Sequence, residues 1–80
     1  MSVTVLLFAS YADAFGAPSI ELDLRPEATV ADVLTEVARH PAARQLPPRP
    51  LVAVNQRYAS ATTSVRDGDE VALIPPVAGG

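Results

Sequence analysis

Residues 19–37 read SIELDLRPEATVADVLTEV, and within them the hydrophobic period changes once. Ile20, Leu22 and Leu24 alternate with Ser19, Glu21, Asp23 and Arg25. A period of two describes a half-buried strand with one wet face. After Pro26, the residues Val30, Val33, Leu34 and Val37 fall at i, i+3, i+4 and i+7, the apolar stripe of an amphipathic helix. Thr29 suits an N-cap, and Asp32 at the third helical position approaches a capping box. Pro41 cannot continue the helix, which predicts a span of roughly 30–40. A helix of about eleven residues is marginal alone, so it requires a sheet to pack against.

Strand signals lie on both sides of this stretch. Upstream, Val3, Val5 and Leu7 alternate with Thr4, Leu6 and Phe8, a strand with both faces at least partly covered. Tyr11 to Gly16 reads as a connection, with Gly16 and Pro18 as punctuation, and the two strands around it suggest an antiparallel hairpin. Downstream, residues 41–50 hold four prolines and read as a rigid surface connection. Leu51 to Val54 is a short strand, Asn55-Gln56 a tight turn, and Arg57 to Ala59 a return strand. Ser60 to Ser64 is a small polar loop, Asp67-Gly68-Asp69 a turn, and Glu70 to Ile74 a final strand closed by Pro75-Pro76. The order β-β-α-β-β-β with one main helix predicts an α+β fold, a β-grasp (ubiquitin-like) roll with a mixed four- to five-stranded sheet. One domain over residues 1–76 and a flexible tail over 77–80 are expected.

Composition removes several kinds of chemistry. The chain has 80 residues, so it buries only about 60% of its unfolded surface, and a core leaves little room for a deep pocket. A hydrophobic share of 49% nevertheless suffices for one core. Without cysteine there is no disulfide, thiol nucleophile, persulfide or thiolate ligand. One histidine, His40, cannot assemble a His-based metal site, and its place at a helix end suits the helix dipole when it is charged. No phosphate-binding glycine loop is present. All six positive charges are arginines, so lysine side chains offer no route to self-conjugation. A net charge of −3 and a pI near 4.8 argue against nucleic acid and against an anionic membrane as partners. No apolar stretch is long enough to span a bilayer and the start lacks a signal-peptide pattern, which predicts a cytoplasmic location.

The chemistry gathers after Pro75-Pro76, in Val77-Ala78-Gly79-Gly80. Two prolines stiffen the exit from the last strand. Glycine at both final positions removes every side chain beside the carboxyl of Gly80, so a partner enzyme can grip that end in a narrow channel. This permits adenylation of the carboxyl and displacement of AMP by sulfur. A frayed end is the plainer account of Gly-Gly taken alone.

The segments Val5-Leu6-Leu7-Phe8-Ala9, Val52-Ala53-Val54-Asn55-Gln56, Asp67-Gly68-Asp69-Glu70-Val71-Ala72 and Pro75-Pro76-Val77-Ala78-Gly79-Gly80 together resemble the small subunit of molybdopterin synthase, a ubiquitin-like sulfur carrier of the MoaD/ThiS family. The resemblance spans the chain. It implies a β-grasp fold and a thiocarboxylate on Gly80, with Gly79 fitting the channel. An E1-like adenylyltransferase would install the sulfur using ATP, the carrier itself binding no cofactor and no metal. The large synthase subunit, in a heterotetramer of two small and two large subunits, would pass it to precursor Z, two transfers completing each dithiolene. Many relatives carry an Arg-Glu pair where this chain has Ala12-Asp13.

A carrier of this kind needs a docking face, and the resemblance points to Phe8, Tyr58 and Ile74, with Pro76 and Val77 of the tail, as the partner interface. Phenylalanine and isoleucine in strands otherwise belong to cores. Asp67, Asp69 and Glu70 form an acidic cluster, expected near the tail exit, that could steer a basic partner, although Asp-Gly-Asp also simply makes a turn. Competing readings are a carrier for thiamine, cysteine or tRNA thiolation, and a ubiquitin-like binding module without chemistry. A free-standing hydrolase lacks its nucleophile–base pair.

Overall fold

A computed structural model describes residues 1–45 and 50–75 of the chain. Strand β1 (Ser2–Leu7) is followed by a short helix α1 (Ser10–Phe15), strand β2 (Ser19–Asp23) and the main helix α2 (Val30–Ala38). A 3₁₀ turn (Pro41–Gln45) then precedes β3 (Leu51–Val54), β4 (Arg57–Tyr58) and β5 (Glu70–Ile74). The five strands form one sheet in the order β2-β1-β5-β3-β4. The central pair β1 and β5 is parallel, and the other three pairs are antiparallel. This is the mixed sheet crossed by one main helix that the change of period predicts.

Helix α2 begins as its sequence dictates. The Asp32 carboxylate accepts the Thr29 amide at 2.8 Å and the Thr29 hydroxyl at 3.2 Å. The amide bond is the largest cause of an Asp32 pKa held below the ordinary carboxylate value, and the Arg25 guanidinium adds to it. The amides of Val30 and Ala31 donate to the carbonyls of Thr63 and Ala61, so the 60–64 loop covers the helix start. Val30, Val33 and Val37 are buried against Val3, Val5, Leu7, Val52, Val71 and Leu73 of the sheet. Leu34 stands at the rim of that core. On β2, Ile20 and Leu22 are only half-buried because the strand is an edge, and Leu24 beyond it is buried.

Two expectations need correction. Residues 11–16 are no plain connection, because Ser10–Phe15 is a helix and the β1–β2 pair is therefore not a tight hairpin. The helix rests on Tyr11, which is 1% exposed, and it stops at Gly16. Gly16 has φ +70°, and its amide reaches the Ala12 and Asp13 carbonyls, a left-handed cap that glycine adopts without a Cβ penalty. Six residues are too few to display a helical period. The proline-rich connection also contains the 3₁₀ turn, and just before it the His40 ring meets that of Phe15 at the end of α1, with centroids 4.4 Å apart. His40 Nδ1 accepts the Ala42 amide at 3.1 Å.

The two predicted turns form, with Asn55 and Gly68 in the positive-φ conformation that asparagine tolerates and glycine favours. Asn55 and Gln56 have φ +49° and +72°, a pair of positive values that matches the twist of the flanking β3 and β4. Gly68 has φ +85°, and its amide donates to the Ser2 carbonyl at 2.7 Å.

Candidate functional site

The sheet has one face under α2 and one face without a covering layer among the described residues. Strand alternation decides which residue goes where. On β1, Val3, Val5 and Leu7 point to the core, while Leu6 and then Phe8 share the opposite parity. On β5, Val71 and Leu73 are buried, while Ala72 and Ile74 are half-exposed. Registers align these outward positions: Leu6 opposes Ala72, Ala72 opposes Ala53, Ala53 opposes Tyr58, and Ile74 opposes Leu51.

The outcome is an open depression of about 370 Å³ lined by Leu6, Phe8, Ala53, Gln56, Tyr58, Glu70, Ala72 and Ile74. Phe8, Tyr58 and Ile74 thus lie on one surface. Tyr58 is 78% exposed, Phe8 46% and Leu51 43%, the three large apolar residues most open to water among those described. An apolar patch left open beside a well-filled core marks a surface for another molecule. Reading the sequence residue by residue missed Leu6, Ala53 and Ala72. Their signal was present in the parity of the strands that carry Phe8 and Ile74.

The described chain ends beside this face. Ile74 is the last ladder residue of β5, and Pro75 follows it. Pro76, Val77, Gly79 and Gly80 lie outside the described residues. The acidic cluster does not sit at the tail exit, as expected from proximity in sequence. Asp67, Asp69 and Glu70 precede β5, whereas the tail follows it, so the length of the strand, roughly 13 Å, separates them.

Two of those acids also hold the fold. Asp67 accepts the Ser2 amide at 2.7 Å, which ties the turn to the start of β1. Asp69 accepts the Asn55 side-chain amide at 3.0 Å and the Arg66 amide at 2.8 Å. Asn55 completes a clamp on the start of β5, since its Oδ1 accepts the Glu70 amide at 3.0 Å and its own amide donates to the Glu70 carbonyl at 2.8 Å. On the same outer side, Glu21 accepts the hydroxyls of Thr4 and Ser2 at 2.6 and 2.9 Å, and these bonds, Thr4 first, lower its pKa. Among the described residues, no group of three or more His, Asp or Glu could hold a metal ion, and no helix is long and apolar enough to cross a membrane. What the described face offers chemically is an apolar surface bordered by the Glu70 carboxylate.

Known proteins resemble this chain in sequence and in fold. A relative from Chlamydomonas reinhardtii, a molybdopterin synthase sulfur carrier subunit, is 35% identical over the full length of both chains. The Mycobacterium tuberculosis protein of the same name is also 35% identical, covering 100% of this chain and 99% of its own. Among solved structures, that of SAMP1 from Haloferax volcanii superposes with a TM-score of 0.84 at 32% identity, each chain fully covered. The ThiS family profile matches residues 5–80. With its mixed β-grasp sheet, open apolar face and Gly-Gly sequence, the chain belongs to the ThiS family, the ubiquitin-like sulfur carriers of the MoaD/ThiS type.

Proposed function

We propose that this protein is the sulfur-carrier subunit of a molybdopterin synthase, working through the carboxyl of Gly80. In this reading an E1-like enzyme joins the Gly80 carboxylate to the α-phosphate of ATP and releases pyrophosphate. A sulfur nucleophile then attacks the acyl carbon, AMP leaves, and a thiocarboxylate remains. The large synthase subunit brings that sulfur to precursor Z. Once the sulfur has passed to the pterin, water restores the carboxylate, and a second charged carrier completes the dithiolene. The carrier supplies no acid, base or metal; it supplies position.

The observation that carries the proposal is the open apolar face around Phe8, Tyr58 and Ile74, next to the strand that runs into Pro-Pro-Val-Ala-Gly-Gly. Full-length relatives named for this role support it. Phe8, Tyr58 and Ile74 would dock the large subunit, while Pro76 and Val77 direct the tail and Gly79 lets it pass a narrow channel. The test is intact mass after incubation with ATP, an E1-like enzyme and a sulfur donor, followed by conversion of precursor Z with the large subunit. The expected result is a mass gain of one oxygen-for-sulfur exchange and formation of molybdopterin. A charged carrier that fails to support the synthase overturns the assignment.

A second reading is favoured by the likeness to small archaeal modifier protein 1. There the same activated carboxyl would be joined to an amine of another protein. Covalent conjugates in the incubation without a sulfur donor would favour it.

A further inference from the structure

The apolar depression ends at an acid. Glu70 lines it beside Gln56, at the end of β5 away from Ile74 and the tail. The opposite end, formed by Phe8 and Ile74, carries no charge. Glu70 differs from the acids around it. Asp67, Asp69 and Glu21 have their carboxylates occupied by donors of this chain. Glu70 is held through its backbone by Asn55, and its carboxylate makes no hydrogen bond or ion pair with the described residues.

We propose that Glu70 is the charged anchor of the docking face, pairing with an arginine or lysine that the large synthase subunit presents at this end of the depression. The proposal rests on the reading above that this subunit covers Phe8, Tyr58 and Ile74. The physical need is direct. A protein laid over the depression removes water from Glu70, and a carboxylate desolvated without a counter-charge is strongly disfavoured. A partner that fits the apolar end must therefore bring a cation to the other. Because only one end is charged, the pair also decides which way round the partner sits, and thus whether its active site meets the tail.

Glu70→Gln keeps the shape and the backbone clamp while removing the charge; Glu70→Arg reverses it. Association of the full chain with the large subunit is followed by stopped flow at low and high salt. At low salt the expected rate is several-fold slower for Glu70→Gln and about tenfold or more slower for Glu70→Arg, with a flatter salt dependence and an unchanged Tm. Phe8→Asp tests the underlying reading separately and is expected to abolish binding. A wild-type rate and salt dependence in Glu70→Arg, with binding lost in Phe8→Asp, overturns the anchor alone. Intact binding in Phe8→Asp removes the docking reading and the anchor with it. Sedimentation of the chain by itself covers the remaining occupant, since a dimer disrupted by both substitutions would make it a second copy and overturn the proposal.

Discussion

Leu73 and Ile74 are neighbours on one strand and belong to different regions of the molecule. Leu73 is 1% exposed beneath α2, while Ile74 borders the open depression on the other side of the sheet. The same contrast runs along β1 and the residue after it, since Val5 is fully buried and Phe8 is 46% exposed. Both faces are apolar at their centre, and hydrophobicity alone does not distinguish them. What separates them is a single layer: α2 covers one face, and no described element covers the other. An apolar residue on the covered face stabilises the fold. On the open face it costs the monomer solubility, and its value lies in binding.

The largest expected effect falls on the last residues of the sequence, Val77-Ala78-Gly79-Gly80. Extending the chain beyond Gly80, or replacing Gly79 by valine, should abolish thiocarboxylate formation in the mass assay. Thermal melts should remain at the wild-type Tm, since the last ladder pair of the sheet is Leu51–Ile74. Wild-type sulfur transfer from an extension proven uncleaved would break the carrier reading.

Next come paired truncations across the two faces. Leu73→Ala should destabilise the protein by about 2–5 kcal/mol in denaturant titration, the cost of a cavity in a filled core. Phe8→Ala and Tyr58→Ala should leave stability nearly unchanged and weaken binding to the large subunit by about 2 kcal/mol each. Equal stability losses on both faces would break the comparison.

A smaller effect is expected at the turn that sets the start of β5. Asn55→Ala removes both side-chain bonds of the clamp and places alanine at φ +49°, so a loss of about 1–2 kcal/mol is expected in the same titration. Amide exchange should quicken first at Glu70.

The smallest effect concerns Glu21, whose carboxylate is fully exposed. Its folded-state pKa lies below the ordinary value, so its contribution is complete above the unfolded pKa and is lost as pH falls through the folded one. Thr4→Ala, removing the largest cause of that shift, should raise the Glu21 pKa measured by NMR and reduce the fall in Tm on acidification. An unchanged titration would show that the Thr4 bond does not hold in solution.

Much of the fold was legible because it is written in local periods. The alternation at 19–25, the stripe at Val30, Val33, Leu34 and Val37, and the turn residues Asn55 and Gly68 each carry their structure in a few neighbouring residues. Helix α1 was not legible, because six residues show no period and its anchor, Tyr11, is defined by burial. Of the candidate site, Phe8, Tyr58 and Ile74 were named from the resemblance, while their gathering on one surface with Leu6, Ala53 and Ala72 needed the strand registers. The misplaced acidic cluster has the same origin. Residues 67–70 are close to the tail in sequence, but an extended strand carries them to the other end of the sheet.

By itself the sequence determined the element types, the absence of a thiol, the cysteine- and lysine-free surface and a C-terminal stretch without bulky side chains, since all of these depend on residue identity or local spacing. Only the tertiary structure decided that β1 and β5 lie side by side in parallel at the centre of the sheet, pairing Val5 with Val71 across the chain. That pairing turns two separate alternations into one buried face and one open face. Which parity is buried depends on where α2 packs, and packing is a property of elements far apart in the chain. It also left the Glu70 carboxylate without a partner among the described residues, at the edge of an apolar surface, an environment that no local reading of Asp-Gly-Asp-Glu contains.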